Sequence, residues 1–205
     1  MSMSDGPTPT PPRAWQRMLS GRRLDLLAPR PEDVEIGDIA HGLARVARWN
    51  GQTLGAHAFS VAQHCLLVEA LVRRQSATLP RELLLAALLH DAPEYVIGDL
   101  ISPFKAALGL DYKTFELRLL AAIHRRYDLP ENLPRDWHDM IKAADRVSAW
   151  WEATRLAGFS VREADLYFGS PGPDVADVPG MVLEPWATAE AQTRYLQRFH
   201  ELTAL

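Results

Sequence analysis

The chain has 205 residues, 47% hydrophobic and 23% charged, enough for one domain with a sizeable core and ordinary for a globular protein. A net charge of −4 leaves no basic excess to neutralise a phosphate backbone, which excludes duplex nucleic acid as the main partner while allowing a local basic pocket for a small anion. Cys65 is the single cysteine, so no internal disulfide forms; with neither a signal-peptide pattern in MSMSDGPTPTPP nor an apolar run near the roughly 20 residues of a membrane span, a cytoplasmic chain with no membrane partner is expected.

Residues 1–12 are largely Pro, Thr and Ser and are expected to be a disordered tail ahead of a single domain over residues 13–205. Trp15 to Val34 is irregular, with Leu24, Leu26 and Leu27 before a turn at APRPED. VEIGDIAHGLARVARWNGQ begins extended, then takes helical spacing at Ile39, Leu43, Val46 and Ala47, which predicts a helix stopping at Asn50-Gly51. Ser60-Val61-Ala62-Gln63 has the form of a capping box, and Val61, Cys65, Val68 and Val72 stripe a helix to about Arg74. Thr78-Leu79-Pro80 opens a helix that is apolar nearly all round and therefore central. Pro93 should end or kink it just after His90-Asp91. Residues 111–127 read as an amphipathic helix with Phe115, Leu119, Ala122 and Ile123 inward, and residues 135–157 as another with Met140, Ala144, Val147 and Trp151. FGSPGPDVADVPG is a Gly/Pro loop, and residues 188–203 are a last helix carrying Ala191, Tyr195 and Phe199. So many helices with little strand signal predict an all-α bundle.

The apolar run Leu83 to Leu89 leads straight into His90 and Asp91, with Glu94 close behind. Burying an unpaired carboxylate costs several kcal/mol or forces a proton onto it, so a metal ion is the natural compensation. On a helix, His90 and Asp91 would project about 100° apart and reach one point between them. His64, in the first turn of its helix, and Asp145, beside Lys142 and Ser148, are candidates for the rest of the set. Two imidazoles and two carboxylates suit a divalent first-row metal with water completing the shell. Periodicity alone does not select these four: His64 reads equally as a hydrogen-bonded histidine and Asp145 as a solvated helix-face acid. His41, His57, His124, His138 and His200 read as structural or surface residues, Cys65 as small core packing, and Trp150-Trp151 as core plus interface.

The segment LLHDAPEYVIGDLISPFK resembles the signature of HD-domain phosphohydrolases, specifically their 5'-deoxynucleotidase-type branch. The resemblance runs over roughly residues 36–160 and is most specific from His90 to Lys105. The family pattern is a histidine, a His-Asp pair and a distant aspartate, supplied here by SVAQHCL (His64), His90-Asp91 and KAADRV (Asp145). The resemblance implies an HD-domain helical bundle with one divalent metal (Co, Mn, Mg, Ni or Zn) on His64, His90, Asp91 and Asp145. It also implies roles beside the metal for Glu94 and Asp99, and a substrate-binding Arg-Trp, matched by Arg48-Trp49 in ARWNGQ with Arg45 as a rival. Without it, Glu94 reads as a helix-end acid, Asp99 as a turn-former, Arg48 as a surface cation and Trp49 as core.

The activity implied is removal of the 5'-phosphate from deoxyribonucleoside 5'-monophosphates. Arg48 would pair the phosphate oxygens, Glu94 or Asp99 would handle protons, and Trp49 would lie against the sugar. The same site would also suit release of triphosphate from a deoxynucleoside triphosphate, or hydrolysis of a cyclic or alarmone nucleotide. A triphosphate asks for more cations than Arg48 and Arg45, with Lys105 a further candidate. The non-enzymatic reading is a nucleotide-sensing module with an idle metal, which the retention of all four ligands disfavours. The expected partner is a small-molecule nucleotide, with a homodimer as the expected assembly.

Overall fold

The computed structural model describes residues 14–99, 110–172 and 183–204. The expected tail at residues 1–12, Lys105 and most of the Gly/Pro loop lie outside these residues. Among them are eight α-helices and one two-stranded sheet, the all-α bundle expected.

The stretch read as irregular contains a small antiparallel hairpin, β1 (Trp15–Arg17) against β2 (Arg23–Asp25), with Trp15 opposite Asp25. The Arg23 guanidinium lies 4.5 Å above the Trp15 ring, a cation–π contact that pins the two ends. Helix α1 (Ile36–Leu43) buries Ile39, Ala40 and Leu43. It ends well short of Asn50, contrary to the periodicity. Val61 N–H donates to Val46 O, Arg48 N–H donates to Phe59 O, and Ala47 pairs with Ser60 in an antiparallel bridge. These non-local bonds outweigh the local spacing and pull the chain out of the helix before Arg48.

Helix α2 (Val61–Arg73) starts at Ser60, whose hydroxyl accepts from Gln63 N–H. The reciprocal half of the capping box is not made. The buried Gln63 amide instead ties the helix to a distant segment, donating to Glu184 O at 2.8 Å and accepting from Trp186 N–H at 3.0 Å. Helix α3 (Arg81–Leu88) buries every residue from Leu83 to Leu88, which makes it central as expected. Helix α4 (Glu94–Ile97) follows a turn and packs on α1. A Cβ at Gly42 would lie 2.7 Å from Tyr95 Cβ, so only glycine lets these two helices approach so closely.

Helix α5 (Leu110–Arg126) turns Leu119, Ala122 and Ile123 inward. Helix α6 (Arg135–Arg155) lies along α2 and buries Ile141, Ala144, Ser148, Trp151 and Glu152. Helix α7 (Val161–Phe168) was not legible as a helix, although Ser160 and Glu163 form a complete capping box at its start. Helix α8 (Thr188–Thr203) buries Ala191, Tyr195 and Phe199, and Tyr195 Oη donates to Leu88 O at the end of α3. The long helices α2 and α6 therefore lie side by side, with the end of α3 delivered to the same region.

Candidate active site

The end of α3 is a matter of one missing proton. In a continuing helix the N–H of residue 93 would bond Leu89 O, but Pro93 has none. Leu89 O accepts from Ala92 N–H instead. His90 and Asp91 thus sit in the turn beyond α3 and not on the helix itself, so the expected 100° helical offset does not apply.

His90 Nδ1 donates to Ala87 O at 2.9 Å, and His64 Nδ1, on α2, lies 2.6 Å from Glu152 Oε1 on α6. Carbonyl and carboxylate only accept, so both rings carry a proton on Nδ1 and present Nε2 inward. Both Nε2 atoms are buried and make no hydrogen bond. Asp91 Oδ2 lies 3.4 Å from His64 Nε2 and 3.2 Å from His90 Nε2, while Asp145 Oδ1 is 3.4 Å from His64 Nε2. One ligand atom each of His64, His90 and Asp145 falls within 4.8 Å of the others. Metal–ligand bonds of about 2 Å would bridge these gaps. Two orphaned imidazole nitrogens facing two carboxylates fit a divalent cation by geometry and by donor chemistry.

Each imidazole is also anchored from behind, by Glu152 and by the Ala87 carbonyl, as metal-bound histidines require for a fixed tautomer. Glu152 went unnoticed in the sequence. Its signal was there: Asp145, Ser148 and Glu152 are spaced three and four apart on α6, which puts polar groups on a face that is otherwise buried. Fully buried, Glu152 accepts from Ser148 Oγ (2.8 Å), Arg48 Nε (3.1 Å) and Trp49 Nε1 (2.8 Å) besides His64. Burial alone would raise its pKa, but Arg48 and His64 outweigh that and hold it at about 2.

The neighbouring charges answer one another. Burial opposes the Arg48 cation, yet Glu152 and Asp99 raise its pKa. Burial likewise opposes Asp91, but His90 and His64 hold it well below the usual carboxylate range. Asp145 is lowered too, through His64 and against its own burial. Burial and Arg48 both disfavour a proton on His64, and the surrounding Glu152, Asp145 and Asp91 overcome them to raise its pKa.

A cavity of about 1450 Å³ opens over this cluster, lined among others by Arg48, Trp49, His90, Asp91, Glu94, Asp99 and Asp145. Glu94, the first residue of α4, is buried and lines it. Asp99 lies 3.5 Å from Arg48 Nη1. Trp49 and Asn50 hold φ of 57° and 51°, a left-handed backbone that non-glycine residues adopt at a cost and that concentrates at functional sites. Arg45 does not reach the cavity; it donates to His41 O and Gln192 Oε1. His124 and His138 reach its lining, His124 with Nδ1 on Pro130 O. Cys65 is buried in the core, Trp151 is fully buried, and Trp150 Nε1 donates to Asp165 on α7.

A histidine on one helix, a His-Asp pair after the next and an aspartate on a third, converging in an all-α bundle, are the marks of the HD-domain class. Residues 40–157 match the family described as 5'-deoxynucleotidase YfbR-like, and the chain belongs to that family of HD-type phosphohydrolases. A protein of Rhodobacter capsulatus, described as uncharacterized, is 55% identical over 190 residues, covering 93% of this chain and 96% of its own. The uncharacterized protein YfdR of Escherichia coli K12 is 31% identical over 177 residues, covering 85% and 87%. No helix among the described residues is long and apolar enough to cross a membrane.

Proposed function

We propose that the chain is a metal-dependent 5'-deoxynucleotidase, cleaving the phosphomonoester of deoxyribonucleoside 5'-monophosphates. The observation that supports this most is the pair of buried, unbonded imidazole Nε2 atoms close to Asp91 and Asp145, with His90, both carboxylates and Arg48 lining one cavity, in a chain of the YfbR-like family. His64, His90, Asp91 and Asp145 would hold the cation. When bound, such a cation supplies Lewis acidity toward a phosphoryl oxygen and makes a water more acidic.

Arg48 uses Nε on Glu152 and one face of Nη1 toward Asp99, and its other N–H groups are directed to the phosphate, which a guanidinium pairs bidentately. Glu94 accepts the proton of the attacking water or returns one to the leaving 5'-oxygen, with Asp99 as its alternate. Trp49 is fixed by its bond to Glu152 and forms the wall against the sugar. A 2'-hydroxyl pressed on that ring would lose its water without a partner, about 1–3 kcal/mol, or roughly fivefold to somewhat over a hundredfold in favour of deoxy substrates.

Lys113, Lys142 and Arg146 line the same cavity and support a second reading, a triphosphohydrolase, because a polyphosphate needs cations beyond Arg48. Purified protein loaded in turn with Mn, Co, Mg, Ni and Zn, and offered nucleoside mono-, di- and triphosphates and cyclic nucleotides, separates the two. Inorganic phosphate from dAMP in preference to AMP is expected. Inert monophosphates together with triphosphate released from dATP would establish the second reading instead.

A further inference from the structure

Beyond Trp49 the cavity continues along aromatic residues that the chemistry above does not use. Phe159 and Phe168 approach the Trp49 ring with centroids at 5.5 and 5.7 Å, and lie 6.0 Å from each other. Tyr167 stands at the rim, 6.5 Å from Phe168 and 68% exposed. All four rings line the cavity, and Phe159 and Phe168 are only half-buried. Aromatic rings kept at a cavity wall, when a core could bury them, are available to a ligand.

The wall is also held in place. Phe159 N–H donates to Ala153 O at 3.0 Å, closing the turn after α6. Helix α7 is tied to α6 by the 2.8 Å bond from Trp150 Nε1 to Asp165 Oδ1, packs through the fully buried Ala164, and is capped by Ser160 and Glu163. Rigid supports of this kind let a platform bind without ordering cost.

We propose that Phe159, Phe168 and Tyr167 form the nucleobase subsite, stacking on the face of the base of a deoxyribonucleoside 5'-monophosphate. This rests on the nucleotidase reading and extends it: phosphate at Arg48, sugar at Trp49, base one ring further along the same wall. Every base has a π-face, so stacking tolerates all four, with the larger purines gaining most. The subsite makes the enzyme base-tolerant and sets its preference by ring size.

The test compares kcat/KM for dAMP, dCMP and 2-deoxyribose 5-phosphate, which carries the same phosphate and sugar but no base. Wild type should prefer dAMP over 2-deoxyribose 5-phosphate by roughly fivefold to a hundredfold, the range that base–aromatic stacking supplies. Phe168→Leu and Phe159→Leu, which keep apolar volume without a π-face, should collapse that ratio through KM, dAMP losing more than dCMP; Phe168→Tyr should restore it. Circular dichroism and melting temperature confirm that each variant is folded. A wild type that cleaves both substrates equally well, or leucine variants with an unchanged ratio, would overturn the subsite and leave the nucleotidase reading standing. A wild type that cleaves none of the three would overturn that reading and the inference with it.

Discussion

Glu152→Gln is the substitution from which the structure predicts most. Each carboxylate oxygen takes two bonds: Oε1 from His64 Nδ1 and Ser148 Oγ, Oε2 from Arg48 Nε and Trp49 Nε1. An amide offers one acceptor oxygen and one donor group, so whichever way it turns, one pair of donors meets an N–H. The charge is lost as well, and breaking a buried ion pair costs about 3–5 kcal/mol. Arg48 keeps Asp99 at 3.5 Å, which places the effect near the lower end, about 3 kcal/mol. For a chain of this length that corresponds to a fall in Tm of about 6–12 °C. His64 loses the acceptor that fixes its tautomer, so metal affinity should weaken about 10–100-fold. Trp49 loses its anchor, so the preference for dAMP over AMP should narrow in the same protein. Thermal melting and a cobalt titration monitored by calorimetry measure the first two effects. A variant that melts within about 2 °C of wild type and binds cobalt equally well would refute the idea that one carboxylate organises the site.

Three further outcomes follow from the same geometry. Glu94→Ala should retain metal and bind nucleotide but lose about 10²–10⁴-fold in kcat; a near-normal rate would transfer the proton-handling role to Asp99. Trp49→Ala should narrow the dAMP/AMP ratio of kcat/KM mainly by improving AMP, whereas Arg48→Ala should weaken both nucleotides alike, and an unchanged ratio in Trp49→Ala would return that ring to a packing role. Gly42→Ala drives a Cβ to 2.7 Å from Tyr95 Cβ, which should cost about 1–3 kcal/mol by overpacking and shift α4 with Glu94, so that denaturant unfolding moves and kcat drops while metal content holds.

What could be read from the sequence was what repeats locally. The stripe on α2, the all-round apolarity of α3 and the face of α6 each follow from residues a few positions apart, and the three helices stand in those stretches, with α3 stopping at Leu88, ahead of the expected end after Asp91. Of the candidate ligands, His90 and Asp91 stood out because an apolar run ending in His-Asp is physically awkward without a compensating ion, whereas His64 and Asp145 were singled out only by the resemblance to HD-domain phosphohydrolases. Features decided by distant partners were not legible. The early end of α1 depends on the Ala47–Ser60 bridge, and the role of Glu152 depends on Arg48 and Trp49, about a hundred residues earlier in the chain. Helix α7 differs: it is only eight residues long and Ala164 is its one buried residue, although its capping box and the helical spacing of Val161, Ala164 and Phe168 are both present in the sequence.

His64, His90, Asp91 and Asp145 together would hold the cation that serves phosphomonoester hydrolysis. The most direct test of this is one paired measurement, bound metal by elemental analysis and phosphate released from dAMP, on the wild type, His90→Ala and Asp145→Ala. About one equivalent of metal with turnover is expected in the wild type, and loss of both in each variant. Equal metal content in all three proteins, or dAMP hydrolysis that survives the loss of the metal, would contradict this assignment.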